Sequence, residues 1–186
     1  MKKIQTLFVR DFDHNPRFVT RQVTPGCEWV VDGEGTATRK WDGTCVRLDA
    51  DGRWWARREV KRGKNPPHAF QVAEIDETTG KQVGWEPAEQ SPFAKFLEEA
   101  TADIEAPGTY ELVGPKINGN PEGFDRHTIV GHGWMPTDVA DDFSHVPTDY
   151  EGLAAWLSPR PYEGIVWHHP DGRMVKIKRR DFPAGG

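Results

Sequence analysis

One short segment of this 186-residue chain, RKWDGTCVRLD at residues 39–49, combines a lysine with a glycine turn. Lys40 stands two residues before Asp42-Gly43, and an Asp-Gly pair is typical of a tight hairpin turn between two strands. The same spacing suits a nucleophile that attacks a phosphate, because a rigid turn fixes the amine and glycine permits close backbone approach. Three more Asp-Gly pairs occur elsewhere, so the dipeptide alone indicates only a turn.

Other charged residues that could handle a phosphate stand in separate segments. They are Arg57 and Arg58 in WARREVKRGKNPP, Glu111 in TYELVGPKINGNP, Glu163 in EGIVWHHPDG, and Lys176 and Lys178 in MVKIKRRDF. Residues two apart on a strand share a face, so both lysines are predicted on one face with Ile177 in the core. Taken alone, each glutamate is more typical of a strand entry or end, and the lysine pair of a solvated strand edge.

The elements that must position these groups are mostly strands. Six strand-like runs are predicted, in TCVRLDA, RWWARREV, TYELVG, HTIVGHG, EGIVWHH and RMVKIKR, and several of them alternate apolar and polar residues at period two. Asp51-Gly52 and Asp171-Gly172 are predicted to close hairpins between neighbouring runs. Trp54 and Trp55 are expected on opposite faces, as are His168 and His169, so a two-histidine metal site is not expected.

Two helices are predicted beside the strands. One begins at Ser91-Pro92, with Ser91 as N-cap, and runs through FAKFLEEATA. The other begins at Thr148, which has capping-box spacing to Glu151. Residues 66–90 and 132–147 are interpreted as long loops with short structured pieces. The predicted fold class is therefore α+β, with antiparallel sheets and a few flanking helices.

Composition limits the class of protein further. A length of 186 residues with 36% hydrophobic residues suits a single domain, predicted to span residues 1–186. No apolar run approaches the roughly 18–20 residues that span a bilayer, so no membrane partner is expected. The two cysteines form no disulfide framework, which favours a cytoplasmic location. The net charge of −5 argues against coating nucleic acid through bulk charge, although residues 53–64 and 173–180 are locally basic.

Taken in order, the motifs KxDGT, YELVG, EGIV and VKIK resemble the covalent nucleotidyltransferase superfamily of DNA ligases, RNA ligases and mRNA capping enzymes. The segments GPKINGNP and HTIVGHG make the chain most similar to a compact family of stand-alone ATP-dependent RNA ligases. The resemblance covers about residues 28–182. It implies a nucleotidyltransferase (ATP-grasp-like) domain without an OB domain, since the chain ends eight residues after Lys178.

The resemblance also implies roles for individual residues. Lys40 becomes the nucleophile that forms a lysyl-AMP adduct with ATP, and a 5′-phosphate and a 3′-hydroxyl of RNA are then joined through an RNA-adenylate. Arg58, with Arg57 as the alternative, is expected to bind the nucleotide together with Glu111, Glu163, Lys176 and Lys178. Glu111 and Glu163 offer hard oxygen ligands for Mg²⁺ or Mn²⁺.

Two positions depart from the family pattern. Arg39 occupies a position where many members carry an acidic residue near adenine. No aromatic residue stands in HTIVGHG to stack on adenine, so His127 or Ile129 is the expected substitute.

Three other functions remain open at this point. They are a DNA ligase, a capping-type guanylyltransferase, and a non-catalytic nucleic-acid-binding module that uses the two basic segments. The oligomeric state and the physiological RNA are not indicated by the sequence.

Overall fold

The structure of the protein is a computed structural model that describes residues 3–101, 104–132 and 143–183. The chain divides into two compact units. Of the described residues, the first unit contains residue 3 and those within 42–132, and the second contains residues 4–41 and 143–183. No helix among the described residues is both long and apolar enough to cross a membrane.

The described residues form twelve strands, three short α-helices and three short 3₁₀ helices. The strands are β1 (Gln5–Thr6), β2 (Phe8–Arg10), β3 (Val19–Val23), β4 (Thr36–Lys40), β5 (Thr44–Leu48), β6 (Trp54–Val60), β7 (Gln71–Ile75), β8 (Gln82–Pro87), β9 (Gly108–Val113), β10 (Thr128–Gly131), β11 (Gly164–His168) and β12 (Met174–Lys178). The helices are α1 (Glu28–Val31), α2 (Ala94–Ala100) and α3 (Tyr150–Leu157).

The first unit is built on a six-stranded antiparallel sheet in the order β10-β9-β5-β6-β8-β7. One face is apolar because alternate residues such as Val46 and Leu112 pack against Leu97 of α2 and against Ile117. The opposite face carries the polar side chains of Cys45 and Glu111 beside the buried rings of Trp55 and Trp85. One side of this sheet therefore packs against α2, and the other, the polar face, combines charged groups with aromatic ones.

The second unit contains a four-stranded sheet in the order β1-β12-β11-β4, with β2 and β3 pairing separately. All pairings are antiparallel except that of β1 with β12. Ile165 and Ile177 are fully buried on one face, in the same core as Leu153 and Leu157 of α3. Together the two units confirm the predicted α+β class with mostly antiparallel sheets, whereas the specific nucleotidyltransferase fold stays a prediction.

The six strands predicted from the sequence are all present. The hairpin at Asp51-Gly52 is confirmed by the Asp49 N–H, which donates to the Arg53 carbonyl at 3.0 Å. At Asp171-Gly172 the Gly172 N–H donates to the His169 carbonyl at 2.9 Å. The glycine of each turn has a positive φ, +78° at Gly52 and +90° at Gly172, a conformation that favours glycine.

Both helix starts differ from the prediction. Ser91 has an extended backbone and its hydroxyl accepts from the Phe93 N–H at 3.1 Å, so α2 begins only at Ala94. The second helix is capped by Asp149, whose carboxylate accepts from the Gly152 N–H at 2.8 Å. The N-cap predicted at Thr148 was thus wrong by one residue, because aspartate at the next position is also a favoured cap. The predicted extension of the first helix to residue 102 lies outside the described residues.

The segment of residues 66–90, predicted as a long loop with short structured pieces, has more regular structure than expected, because it contains β7 and β8. Residues 84–87 of β8 are all buried, so no period-two alternation is visible there. Gly84 and Pro87 also weaken the strand signal. Most of the loop predicted for residues 132–147 lies outside the described residues.

The hairpin predicted at Asp42-Gly43 is also wrong. The strand before it, β4, pairs with β11, and the strand after it, β5, pairs with β6 and β9. Asp42-Gly43 therefore lies between strands of two different sheets. Hydrogen-bonding partners distant in sequence decide this outcome, and a local turn motif contains no information about them.

Candidate active site

Lys40 is the last residue of β4, and its neighbours in the sheet place it among other cations. Lys40 is opposite Gly164 of β11, and Gly164 is opposite Lys178 of β12. Directly paired residues project to the same face, so Lys40, Lys178 and Lys176 lie on one face of the sheet. The fully buried Ile177 occupies the other face, which confirms the alternation predicted for β12.

The carboxylate of Glu163 lies among these lysines and forms ion pairs with two of them. The Lys40 ammonium donates to one oxygen of Glu163, and the Lys178 ammonium donates to the other. The three side chains are only 19%, 10% and 16% exposed for Lys40, Glu163 and Lys178. A largely buried carboxylate thus bridges two largely buried cations, which leaves the cluster net positive and suited to an anion.

The charge state of Glu163 follows from two opposing effects. Burial raises the pKa of Glu163, because it penalises the charged form. The charges and hydrogen bonds of Lys40 and Lys178 outweigh burial and hold the pKa below its usual value. Glu163 is therefore an ionised ion-pair partner at neutral pH rather than a proton donor.

Gly164 lies between Lys40 and Lys178 across the sheet, since it is paired with both of them. A Cβ at this position would lie 2.0 Å from the Ile177 carbonyl oxygen and 2.8 Å from the Lys178 Cα. Only glycine fits such close backbone packing. The glycine of the Glu-Gly pair, which the sequence suggested only as a strand entry, is therefore needed for the close packing of β11 against β12.

Two buried polar residues near the lysines, Thr38 and Asp181, were missed by sequence reasoning. Thr38 is buried on the Lys40 face, and its hydroxyl lies 3.0 Å from His168 Nε2. Asp181 is also buried and accepts from the Lys178 backbone N–H at 2.9 Å. The alternation TATRK at residues 36–40 could have indicated Thr38, had that segment been predicted as a strand.

Arg39 lies on the opposite face of β4 from Lys40, as its pairing with Ile165 requires. Its guanidinium stacks over two rings, 4.0 Å from the centroid of Trp41 and 4.2 Å from that of Tyr162. Arginine is favoured in such contacts because its planar cation stacks on aromatic faces. The unusual neighbour of Lys40 is thus explained by packing in this unit, and adenine selectivity stays a prediction.

In the first unit, the loop after β9 holds Asp42-Gly43 in place. The Asn118 side-chain amide donates to the Asp42 carboxylate at 3.0 Å and to the Gly43 carbonyl at 2.8 Å. The Asp42 backbone N–H donates to the Glu122 carboxylate at 2.7 Å. The segment GPKINGNP, noted for its resemblance to RNA ligases, therefore fixes the residues that follow Lys40 in the chain.

Gly43 is required by close packing rather than by a turn. A Cβ on Gly43 would lie 2.2 Å from the Leu112 carbonyl oxygen and 2.9 Å from the Glu111 Cγ. We expect Gly43→Ala to lower the free energy of unfolding by about 1–3 kcal/mol, the usual cost of overpacking. Urea denaturation would measure it.

The matched control for that prediction is Gly108→Ala in the same unit. A Cβ on Gly108 would lie 3.5 Å from the Tyr110 ring, its nearest neighbour beyond the adjacent residues, which is an ordinary contact. Equal unfolding free energies for the two variants would show that Gly43 can accept a side chain and that close packing does not explain it.

Glu111 lies on the polar face of the six-stranded sheet and is 9% exposed. It is paired directly with Cys45 of β5 and with Val130 of β10. Its carboxylate lies 2.9 Å from His132 Nε2, while His132 Nδ1 lies 3.0 Å from the Thr109 hydroxyl. Its predicted nucleotide-binding role is untested, and Cys45 and His132 are neighbours that the sequence reasoning did not connect with it.

The two arginine candidates occupy opposite faces of β6. Arg57 shares the face of Glu111 and lies 5.7 Å above the Trp85 ring. Arg58 lies on the other face, where its guanidinium is 3.6 Å from the Glu86 carboxylate. Burial raises the pKa of Glu86, and the Arg58 charge opposes that effect. Both nucleotide-binding assignments stay predictions, and only the alternative, Arg57, shares the Glu111 face.

The candidates for base stacking pack against other side chains of the protein. His127 stacks on Phe96 with ring centroids 4.5 Å apart and pairs with Glu99 at 2.6 Å. Ile129 packs against the core beneath α2. Trp54 and Trp55 lie on opposite faces, as predicted, and Trp55 is only 4% exposed.

The two predicted Mg²⁺ ligands belong to different surroundings. Both oxygens of Glu163 accept from lysines, whereas Glu111 is bonded to a histidine. Within the residues that the structure describes, the one group of three potential ligands is Cys45, Glu111 and His132. Mg²⁺ prefers oxygen ligands throughout, so this mixed group does not suit it.

Known proteins similar to the chain are RNA ligases. The family model for RNA ligase 1 matches residues 94–183, a stretch that contains Glu111, Glu163, Lys176 and Lys178 but not Lys40 or Arg58. RNA ligase 1 of Danio rerio is 29% identical over 111 residues, or 58% of this chain and 31% of that protein.

Two mammalian relatives show the same likeness over a shorter stretch. RNA ligase 1 of Rattus norvegicus and that of Pongo abelii are 32% and 35% identical over 97 and 96 residues. Each of these matches covers 47% of this chain and 25% of the relative. The chain thus spans about a quarter to a third of the length of the curated relatives it matches. These likenesses support an RNA ligase family for this chain.

Proposed function

We propose that the chain is an ATP-dependent RNA ligase that joins a 5′-phosphate to a 3′-hydroxyl. The observation that carries this proposal is the buried cluster in which Glu163 bridges Lys40 and Lys178, with Lys176 on the same face. A surplus of cations around one lysine suits a phosphate that this lysine attacks. The similarity to RNA ligase 1 supports RNA as the substrate.

The first step uses the Lys40 amine. Nζ forms a bond to the α-phosphorus of ATP as the bond from that phosphorus to the pyrophosphate oxygen breaks. Pyrophosphate leaves with the electron pair, and the proton of the amine passes to solvent. Only a neutral amine can attack, so Lys40 must release the proton that it donates to Glu163 before the bond to phosphorus forms.

The next two steps transfer AMP and then release it. A 5′-phosphate oxygen of RNA attacks the phosphorus of lysyl-AMP, and the amine of Lys40 leaves. A 3′-hydroxyl then attacks the activated 5′-phosphate, and AMP departs as the new phosphodiester forms. Lys176 and Lys178 neutralise phosphate charge during these transfers.

Mg²⁺ or Mn²⁺ is the proposed metal cofactor, and Glu163 is its candidate ligand in the lysine-bearing unit. Mg²⁺ is commonly held by one or two carboxylates together with substrate phosphates, so a single carboxylate suffices. It would neutralise the negative charge of the phosphates. Glu163 would first have to exchange a lysine partner for the metal, because both of its oxygens accept from ammonium groups.

Labelling followed by a ligation panel tests this proposal. The protein is incubated with α-labelled ATP or GTP and run on a denaturing gel, and unlabelled 5′-phosphorylated RNA or DNA is then added. We expect a covalent adduct with ATP alone, its loss on adding RNA, and sealed RNA.

Other outcomes point to the alternatives. An adduct with GTP alone would indicate a capping-type guanylyltransferase, and sealing of DNA alone would indicate a DNA ligase. Nucleic-acid binding without any adduct would indicate a binding module. A cytoplasmic setting for the ligase is part of the proposal, and cell fractionation would test it.

A further inference from the structure

Three side chains that carry potential metal-ligand atoms converge on the polar face of the six-stranded sheet. We propose that Cys45, Glu111 and His132 form a binding site for a borderline transition-metal ion of the Zn²⁺ class. Their ligand atoms, the Cys45 Sγ, a Glu111 oxygen and a His132 ring nitrogen, all lie within 4.8 Å of one another. The site shares Glu111 with the predicted nucleotide-binding residues, but the inference rests on contacts within one unit and does not require the ligase activity.

Strand register explains why three residues so distant in sequence meet. Cys45 of β5 and Glu111 of β9 are directly opposite each other, so their side chains share a face. On the other side of β9, Val130 is opposite Glu111, and His132 follows two residues later. The His132 N–H donates to the Thr109 carbonyl at 3.1 Å, which continues the pairing beyond β10 and keeps His132 beside Glu111.

The geometry is close to that of a small tetrahedral ion. Zn²⁺ bonds of about 2.3 Å to sulfur and about 2.0–2.2 Å to nitrogen and oxygen separate tetrahedral ligands by about 3.3–3.7 Å. The His132 Nε2 and the Glu111 oxygen are already 2.9 Å apart. Modest rotations of these side chains would therefore seat one ion among the three groups, in place of the direct contact between His132 and Glu111.

The donor set selects the class of metal. A thiolate with an imidazole and a carboxylate suits Zn²⁺ or Co²⁺ and disfavours Mg²⁺ and Ca²⁺, which take oxygen ligands. Three protein ligands leave a fourth position for water or an anion. The Thr109 hydroxyl, 3.0 Å from His132 Nδ1, supplies the outer hydrogen bond that orients a ligating histidine.

Cobalt spectroscopy on the metal-stripped 186-residue chain tests the proposal directly. We expect Co²⁺ to produce ligand-field bands in the visible and a thiolate-to-cobalt charge-transfer band in the near ultraviolet. Zn²⁺ should remove both by competition, and excess Mg²⁺ should not. Zn²⁺ should also raise the unfolding midpoint, because an ion that binds the folded chain stabilises it.

Matched variants separate this site from other metal-binding groups. Cys45→Ser should lose the charge-transfer band, and Cys27→Ser, which alters the other cysteine of the chain, should keep it. His132→Gln should retain a weaker band and bind Co²⁺ at least about tenfold less tightly. Circular dichroism of each metal-free variant confirms folding, and none of these readouts depends on ligation.

Two results would overturn the proposal. One is a wild-type chain that shows no charge-transfer band at saturating Co²⁺. The other is a band that persists in Cys45→Ser or that disappears in Cys27→Ser. Failure of the labelling experiment with ATP would leave the metal site intact, so the two proposals are judged separately.

Discussion

Lys40→Ala is expected to abolish formation of the protein–AMP adduct, with labelling reduced by at least about a thousandfold. The reason is chemical, since alanine has no amine to attack the α-phosphorus. A denaturing gel after incubation with α-labelled ATP measures the effect. Lys40→Arg should also be inactive, because a guanidinium retains the positive charge but is not deprotonated in proteins.

The control for loss of a lysine as such is Lys64→Ala, whose side chain is exposed in the first unit. It should label like the wild type. An adduct that persists in Lys40→Ala would exclude Lys40 as the nucleophile, whatever the state of the ligation reaction. Thermal unfolding of Lys40→Ala is needed alongside, because Glu163 loses one of its two partners.

Glu163→Gln is expected to have the largest effect on stability. Glutamine has almost the shape of glutamate but no charge, so two largely buried ammonium groups lose their counter-ion. Removing one partner of a buried ion pair costs about 3–5 kcal/mol, and the residual exposure of 10–19% places the expected loss near the lower end. Urea denaturation at neutral pH measures it.

Glu151→Gln is the matched control in the same unit. Its carboxylate pairs with Arg21 at 2.6 Å, but the Glu151 and Arg21 side chains are 65% and 73% exposed. Water screens such a pair, so its loss should change stability far less. Similar losses for the two variants would show that the Glu163 cluster is no stronger than a surface ion pair.

The stability difference between the wild type and Glu163→Gln is expected to depend on pH. The pKa of Glu163 is held below its ordinary value by Lys40 and Lys178, against the effect of burial. Its contribution is therefore complete above the unfolded-state pKa of about 4.3 and is lost as the pH falls through the lower folded-state pKa. We expect the stability difference between wild type and Glu163→Gln to be constant near neutral pH and to shrink in acid. A difference that grows in acid would contradict the assignment.

The local pattern of the sequence determined the elements with regular alternation. Lys176 and Lys178 share a face around the buried Ile177 because side chains on a strand alternate, and this holds for any sheet that the strand joins. The hairpin turns at Asp51-Gly52 and Asp171-Gly172 could also be predicted from the sequence, since a glycine with positive φ is a local requirement of the turn.

Only the tertiary structure decided which strands become neighbours. The pairing of β4 with β11 brings Lys40 to Glu163, which is 123 residues away along the chain. Gly43 and Gly164 are needed because a distant backbone approaches each of them, and the sequence around them suggested only a turn and a strand entry. Cys45, Glu111 and His132 likewise meet through register between strands. Alternation specifies the face of a side chain, whereas its cross-strand neighbours depend on long-range hydrogen bonds that a local pattern does not encode.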